Sequence, residues 1–178
     1  MAERVIIVNE KDEEIGLEDK IKAHLGEGIL HRAIAIFLFN TKGELLITKR
    51  SAKKMLWPGF WDASCCTHPR KGESYIEAGE RRLPEELGIS CSLEYLTKFQ
   101  YQDKYKDIGS ENEMCALLEG HCKEDIKINP NPDEVADFRW ISIEELKGEI
   151  LENADKFTPW LKIALKEYIK LRGEYEQF

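Results

Sequence analysis

The stretch Trp61-Asp-Ala-Ser-Cys-Cys-Thr-His-Pro-Arg-Lys-Gly-Glu-Ser74 decides how the rest of the chain is read. Trp61 to Cys66 has the aromatic and apolar content of a strand, Pro69 to Gly72 is a turn, and Glu73-Ser74 opens a helical run. Side chains alternate along extended backbone, so Cys66 and His68, two residues apart, face the same side. A thiol is a potential acid or base and an imidazole a potential metal ligand. Any partners must come from elsewhere in the chain.

Upstream, Arg4–Val8 reads as a strand. Leu17, Ile21 and Leu25 have helical spacing, which predicts a helix over 17–25 ended by Gly26 and Gly28. Ile34–Phe39 is a buried strand, and Asn40–Glu44 is a hairpin turn into a strand ending at Arg50. Residues 51–59 form a loop with a Trp-Pro-Gly stop. Downstream, the helix over 74–87 stops at Gly88, with Pro84 expected to kink it or tighten it near residue 80. Cys91–Asp103 and Glu113–Gly120 are strands joined by a polar connection over 104–110. Phe138–Ile141 is a short strand and Ile143–Asn153 a helix. Thr158 caps a last helix with Pro159 at its first position, and Leu161, Ala164, Leu165 and Tyr168 form its buried stripe. Strands in hairpins with inserted helices predict an α+β fold of mixed α/β/α layers, not a regular βαβ series.

The chain has 178 residues, which fits one domain over 1–178, and a formal net charge of −8. That balance argues against a general nucleic-acid or anionic-membrane binder, so cations for an anionic ligand have to be gathered locally. The apolar run near the N-terminus is far below a signal or membrane span. Five cysteines without framework spacing point to reduced thiols and a cytoplasmic protein.

His24 and His31 lie at either end of a Gly-containing turn and can converge; taken alone they are more simply two surface histidines of a loop. Glu111 and Glu113 share one strand face, where like charges repel unless something positive lies between them. A solvated acidic edge is the simpler reading of that pair. Together, His24, His31, His68, Glu111 and Glu113 make a mixed nitrogen and oxygen set suited to a Mn²⁺, Mg²⁺ or Zn²⁺ ion.

Thr67 to Ile89 also aligns with the Nudix box, Gly-x5-Glu-x7-Arg-Glu-U-x-Glu-Glu-x-Gly-U with U apolar. Glu73, Arg81, Leu83, Glu85, Glu86, Gly88 and Ile89 match; Thr67 replaces the first glycine, and Arg82 replaces a glutamate that helps hold metals in Nudix hydrolases. Read without the motif, the same residues are a charged amphipathic helix. Together with Trp57-Pro-Gly59, Cys66-Thr-His-Pro69, Glu111-Asn-Glu113 and Pro159-Trp160, the chain resembles the type I isopentenyl-diphosphate isomerases, a branch of the Nudix fold, from about Glu18 to Trp160.

The resemblance implies that a double bond moves without hydrolysis, through a carbocation-like intermediate that needs a dry pocket and a π-face. It implies Cys66 and Glu113 as acid and base on opposite faces, Tyr101 hydrogen-bonding near Glu113, and Trp160 over the cation. It assigns the five-residue site to one Mn²⁺, Mg²⁺ or Zn²⁺ ion and places a diphosphate-associated Mg²⁺ near Glu86. Lys20, Arg50, Lys54 and Arg82 would hold the diphosphate, and Arg82 then has a reason to replace a hydrolase metal ligand. The expected partner is a small-molecule diphosphate, with no nucleic acid and no membrane, and the protein is expected to be a monomer or weak dimer. A nucleoside-diphosphate-type Nudix hydrolase and a non-catalytic diphosphate-binding module are the competing readings.

Overall fold

The computed structural model describes residues 3–173. Its centre is β3 (His31–Phe39), in which every residue but Arg32 is buried. β8 (Gly109–His121) runs parallel to it, from His31 opposite Glu113 to Phe39 opposite His121. The other edge of β3 pairs in succession with β1 (Arg4–Val8), β6 (Cys65–Thr67) and β4 (Leu45–Arg50). β4 in turn carries β5 (Trp61–Asp62) and β9 (Val135–Ile141), while β2 (Glu14–Asp19) edges β1 and β7 (Leu93–Tyr105) edges β8.

Alternation along β3 builds two cores. Ala33, Ala35, Phe37 and Phe39 face the side covered by α3 (Ile143–Glu152) and α4 (Pro159–Arg172). Ile34, Ile36 and Leu38 face α2 (Tyr75–Leu87) and pack with its Ala78, Leu83 and Leu87. The first face is small at one end and bulky at the other. Phenylalanines fill the far end, whereas Ala33 and its neighbour Cys115 line a cavity of about 370 Å³.

The helices follow their capping signals. Ser74 and Glu77 form a capping box at α2, Ser142 and Glu145 another at α3, and Gly88 closes α2 at φ +68. Pro84 lies inside an element that continues from Tyr75 to Leu87. Among the described residues no helix is long and apolar enough to cross a membrane, and all five cysteines are free thiols.

Two sequence expectations fail. The helix over 17–25 is instead β2 followed by the short helix α1 (Lys20–His24). Leu17 lies opposite Ile6 across the strand pair, and Ile21 and Leu25 are 60% and 52% exposed, so the helical spacing was coincidental. The strand over 61–66 is broken at Ala63-Ser64: Trp61-Asp62 pairs with β4 and Cys65–Thr67 with β3. β3 and β4 meet only at Phe39 and Leu45, and beyond that point Ser64 fills the gap. Its hydroxyl donates to Leu46 O at 2.6 Å and accepts from Leu38 N at 2.9 Å. Other ends shift: β7 and β8 extend toward each other, reducing the 104–110 connection to a short turn with Lys106 at φ +53.

Candidate active site

At the wide end of the cavity the sheet register gathers three imidazoles and two carboxylates. α1 ends on His24, β3 begins on His31, and β8 supplies Glu111 and Glu113. His68 follows β6. The potential ligand atoms of the five lie within 4.8 Å of one another. Nδ1 of His24 lies 2.6 Å from Lys20 O, and Nδ1 of His31 lies 2.7 Å from Ile29 O. A ring nitrogen facing a carbonyl carries the proton, which leaves Nε2 of both rings as lone-pair donors.

Those nitrogens face carboxylates: His24 Nε2 is 2.9 Å from Glu111 Oε2, and His31 Nε2 is 3.6 Å from Glu113 Oε1. Neither approach is aligned as a hydrogen bond, and both His31 Nε2 and Glu111 Oε2 are buried without a partner. Buried ring nitrogens and carboxylate oxygens converging this closely call for positive charge between them, supplied by a bound cation or a proton. The donor set therefore fits a divalent ion.

The electrostatics agree. Burial opposes charging His24, but the adjacent Glu111 carboxylate outweighs it and raises the imidazole pKa. Burial, helped by His31, Lys20 and His24, pushes His68 well below the ordinary imidazole value. Burial would raise Glu113, but His31 and the Tyr101 hydroxyl hold it below the ordinary carboxylate value. Tyr101 donates to Glu113 Oε2 at 2.5 Å, and burial together with Glu113 keeps the phenol protonated.

On the opposite edge of β3, Cys66 pairs with Ala35. β6 and β8 are two strand spacings apart, about 10 Å, and Cys66 is level with Leu117, four residues along β8 from Glu113, so the two lie diagonally across a floor that includes Ala33 and Cys115. Burial, then the Asp62 carboxylate, pushes the Cys66 thiol well above its ordinary range. Trp160, at the start of α4, lines the same cavity; its ring meets Trp57 edge-on at 5.2 Å and lies 6.1 Å from Tyr101.

The mouth is basic against the acidic whole. Lys20, Arg50, Lys54 and Arg82 all line it. Lys20 pairs with Glu3 at 3.0 Å. Arg82 bonds Glu85 at 2.7 Å, Glu86 through Nε at 3.1 Å, and Glu134 at 3.2 Å; Lys54 is ion-paired with Glu134. Arg50 is the most enclosed, with Leu56 O at 2.8 Å, Trp57 O at 3.1 Å and Asp62 at 2.9 Å. Trp57 takes φ +45 in the loop that offers those carbonyls.

Of the residues expected at the site, Cys66, Glu113, Tyr101, Trp160, His24, His68, Glu111 and the four cations line the cavity. His31 completes the buried His/Glu cluster. Glu86 is buried behind Arg82, which holds its carboxylate. Two residues escaped sequence reasoning. Glu134 bridges Lys54 and Arg82, and Asp62, in the opening stretch, gathers donors from Arg50, Thr158 and Trp160. Thr158 occupies the cap position of α4, but its hydroxyl serves Asp62 and makes no cap bond. The one advance signal for Asp62 was an acidic residue between apolar neighbours in a buried strand.

Tight packing ties the metal-ligand segments together. A Cβ on Gly109 would lie 2.3 Å from His24 O, so only glycine lets the start of β8 approach α1. Ser110 Oγ donates to Gly26 O at 2.6 Å and Asn112 Nδ2 to Gly28 O at 3.1 Å, which fixes the His24–His31 turn against β8.

Residues 29–161 match the family model of the NUDIX domain. The isopentenyl-diphosphate Delta-isomerase 1 of Photorhabdus laumondii is 42% identical over 90% of this chain and 91% of its own. That of Mesocricetus auratus is 35% identical over 95% of this chain and 83% of its own. The chain belongs to the isopentenyl-diphosphate Delta-isomerase branch of the Nudix family. A crystal structure of a Deinococcus radiodurans protein superposes on this Nudix chain with a TM-score of 0.73 and 26% identity, covering 93% of this chain and 99% of that one. The Nudix helix is α2, in which Arg81 clamps Glu73 at 2.8 and 3.0 Å and thereby ties the preceding loop to the helix.

Proposed function

We propose that this cavity converts isopentenyl diphosphate into dimethylallyl diphosphate by moving one double bond and breaking no bond to phosphorus. The observation that carries this reading is that Cys66 and Glu113 lie on strands flanking one floor of a cavity that Trp160 also lines. An antarafacial 1,3-shift, with the proton added on one face of the alkene and another removed from the opposite face, needs a proton-handling group on each face. The thiol and the Tyr101-bonded carboxylate are such groups.

The intermediate is a tertiary cation, and three properties of the wall suit it. Burial excludes water that would trap it, Trp160 offers a π-face, and Glu113 is negative beside it. His24, His31, His68, Glu111 and Glu113 would hold a Mn²⁺, Mg²⁺ or Zn²⁺ ion, whose charge fixes the Glu113 carboxylate and lowers its proton affinity. Lys20, Lys54 and Arg82, with Arg50 behind them, receive the diphosphate at the mouth, where a Mg²⁺ accompanying it would take Glu86 as its protein contact.

Arg82 favours holding a diphosphate over cutting it. It stands at a hydrolase metal-ligand position, and a guanidinium recruits phosphate oxygens and not cations. The test is incubation with isopentenyl diphosphate and Mg²⁺ in D₂O. Dimethylallyl diphosphate carrying solvent deuterium is expected; inorganic phosphate release or absence of any deuterated product sinks the reading.

A further inference from the structure

We propose that Asp62 is a positioning residue of this isomerisation: one buried carboxylate that orients the indole of Trp160 and offsets the charge of Arg50 stacked upon it. This rests on the isomerase reading above.

Asp62 is 3% exposed. Its Oδ1 accepts from Trp160 Nε1 at 2.6 Å, Thr158 Oγ1 at 3.0 Å and Ala63 N at 2.8 Å, and the Cys66 thiol approaches the same oxygen at 3.5 Å. Its Oδ2 accepts from Arg50 Nη1 at 2.9 Å. An indole has one N–H and two side-chain torsions, so fixing that N–H against a buried acceptor fixes the plane of the ring. The bond spans the two halves of the site: Asp62 is on β5 and Trp160 on α4. Thr158 lends its hydroxyl to the same oxygen and leaves the helix without a side-chain cap.

The second half of the inference concerns charge. The Arg50 guanidinium carbon lies 5.1 Å from the Trp160 ring centroid. A guanidinium draws on the same π-density that a cationic intermediate needs, and two cations sharing one ring oppose each other. Asp62 sets a negative charge against Arg50 on its other side, so the pair is close to neutral where it meets the ring. A simple structural ion pair would need only the Arg50 bond; the indole and hydroxyl bonds on the other oxygen are what tie Asp62 to the reacting end of the cavity.

The experiment compares wild type, Asp62→Asn, Asp62→Leu and Trp160→Phe in the deuterium-incorporation assay, with folding checked by circular dichroism. Asparagine keeps an oxygen for the indole and removes the charge; leucine removes both. We expect kcat to fall about tenfold in Asp62→Asn, the scale of a cation–π loss. In Asp62→Leu a displaced indole should cost about 100-fold. KM should move by less than about threefold in both, since Leu56 O and Trp57 O still hold the Arg50 guanidinium behind Lys20, Lys54 and Arg82. Phenylalanine has no N–H to orient, so adding Asp62→Leu to Trp160→Phe should cost less than it does alone. Wild-type kcat in folded Asp62→Asn and Asp62→Leu, whatever their thermal stability, overturns the inference and leaves the isomerase intact. A wild type without deuterium incorporation removes the isomerase reading and this inference with it. Should the leucine variant not fold, the near-isosteric asparagine variant decides.

Discussion

The two ends of the cavity both collect charge but satisfy it in opposite ways. At the floor, His24, His31, His68, Glu111 and Glu113 are almost fully buried, and three of their polar atoms, His31 Nε2, His68 Nδ1 and Glu111 Oε2, have no partner. At the mouth, Glu86, Arg82, Glu134 and Lys54 are linked in that order by a chain of ion pairs. A cluster of unshared lone pairs is a site that takes up positive charge. A set of paired ions at a partly buried rim has to exchange partners before it can grip an anion, and the incoming phosphate oxygens replace the carboxylates it gives up. The floor is therefore built for a resident cation and the mouth for a ligand that comes and goes.

Removing the floor's central group should have the largest effect. Glu113→Gln is expected to lower turnover by at least about 10³-fold with unchanged far-UV circular dichroism, because on the proposed function it removes both an acid/base group and a cation ligand. Turnover within tenfold of wild type would dissolve the distinction between the ends. At the mouth, Arg82→Glu should raise KM by about 10- to 100-fold, the scale of a lost charge-assisted bond, while kcat falls less. New release of phosphate in that variant would show instead that a single charge separates holding a diphosphate from cutting it.

Next in size is the response to metal. Stripping divalent ions with a chelator should lower Tm, and readdition at about 100 times Kd should restore about 2.7 kcal/mol, or about 5–10 °C for a chain of this length. His31→Ala should abolish that response, whereas Arg82→Ala should leave it intact. The smallest effect concerns Glu134. Burial raises its pKa, but Lys54 and Arg82 outweigh burial and hold it below the ordinary value. A depressed folded pKa stabilises above the unfolded value of about 4.3 and is lost as pH falls through the lower folded value. Glu134→Gln should therefore remove less than about 1 kcal/mol of stability at neutral pH. It should also flatten the acid limb of a stability–pH curve below about pH 4. An unchanged acid limb would mean that the Glu134 carboxylate does not hold Lys54 and Arg82 together at the mouth.

How far the sequence foretold each end follows from the distance over which its contacts act. Only part of the floor was legible from local rules: strand parity puts Cys66 with His68 and Glu111 with Glu113 on shared faces, whereas joining them to His24 and His31 came from the family resemblance. The helix over 74–87 was legible from Ser74, Glu77 and Gly88, which act within one turn. The helix expected over 17–25 failed because Leu17 takes its partner from a different strand, Ile6. The break at Ser64 exists only because β3 and β4 diverge, which no property of residues 61–66 reveals. Asp62 reaches Trp160 across 98 positions, and Glu134 reaches Arg82 across 52. Pairings of that kind leave no periodic trace, so a buried carboxylate shows only as an oddity of composition.

The close approach at Gly109 carries a consequence for assembly. The five candidate ligands lie on segments that share no local turn, and the fit of β8 against α1 depends on a side chain of one hydrogen atom. The ion pocket can form only after the β7–β8 hairpin has docked, so cation affinity reports on completion of the tertiary structure. A methyl group there, as in Gly109→Ala, should loosen ion binding while leaving the Cys66 side of the cavity in place. Calorimetric titration with Mn²⁺ would then read, from one silent glycine, how closely β8 and α1 are held together.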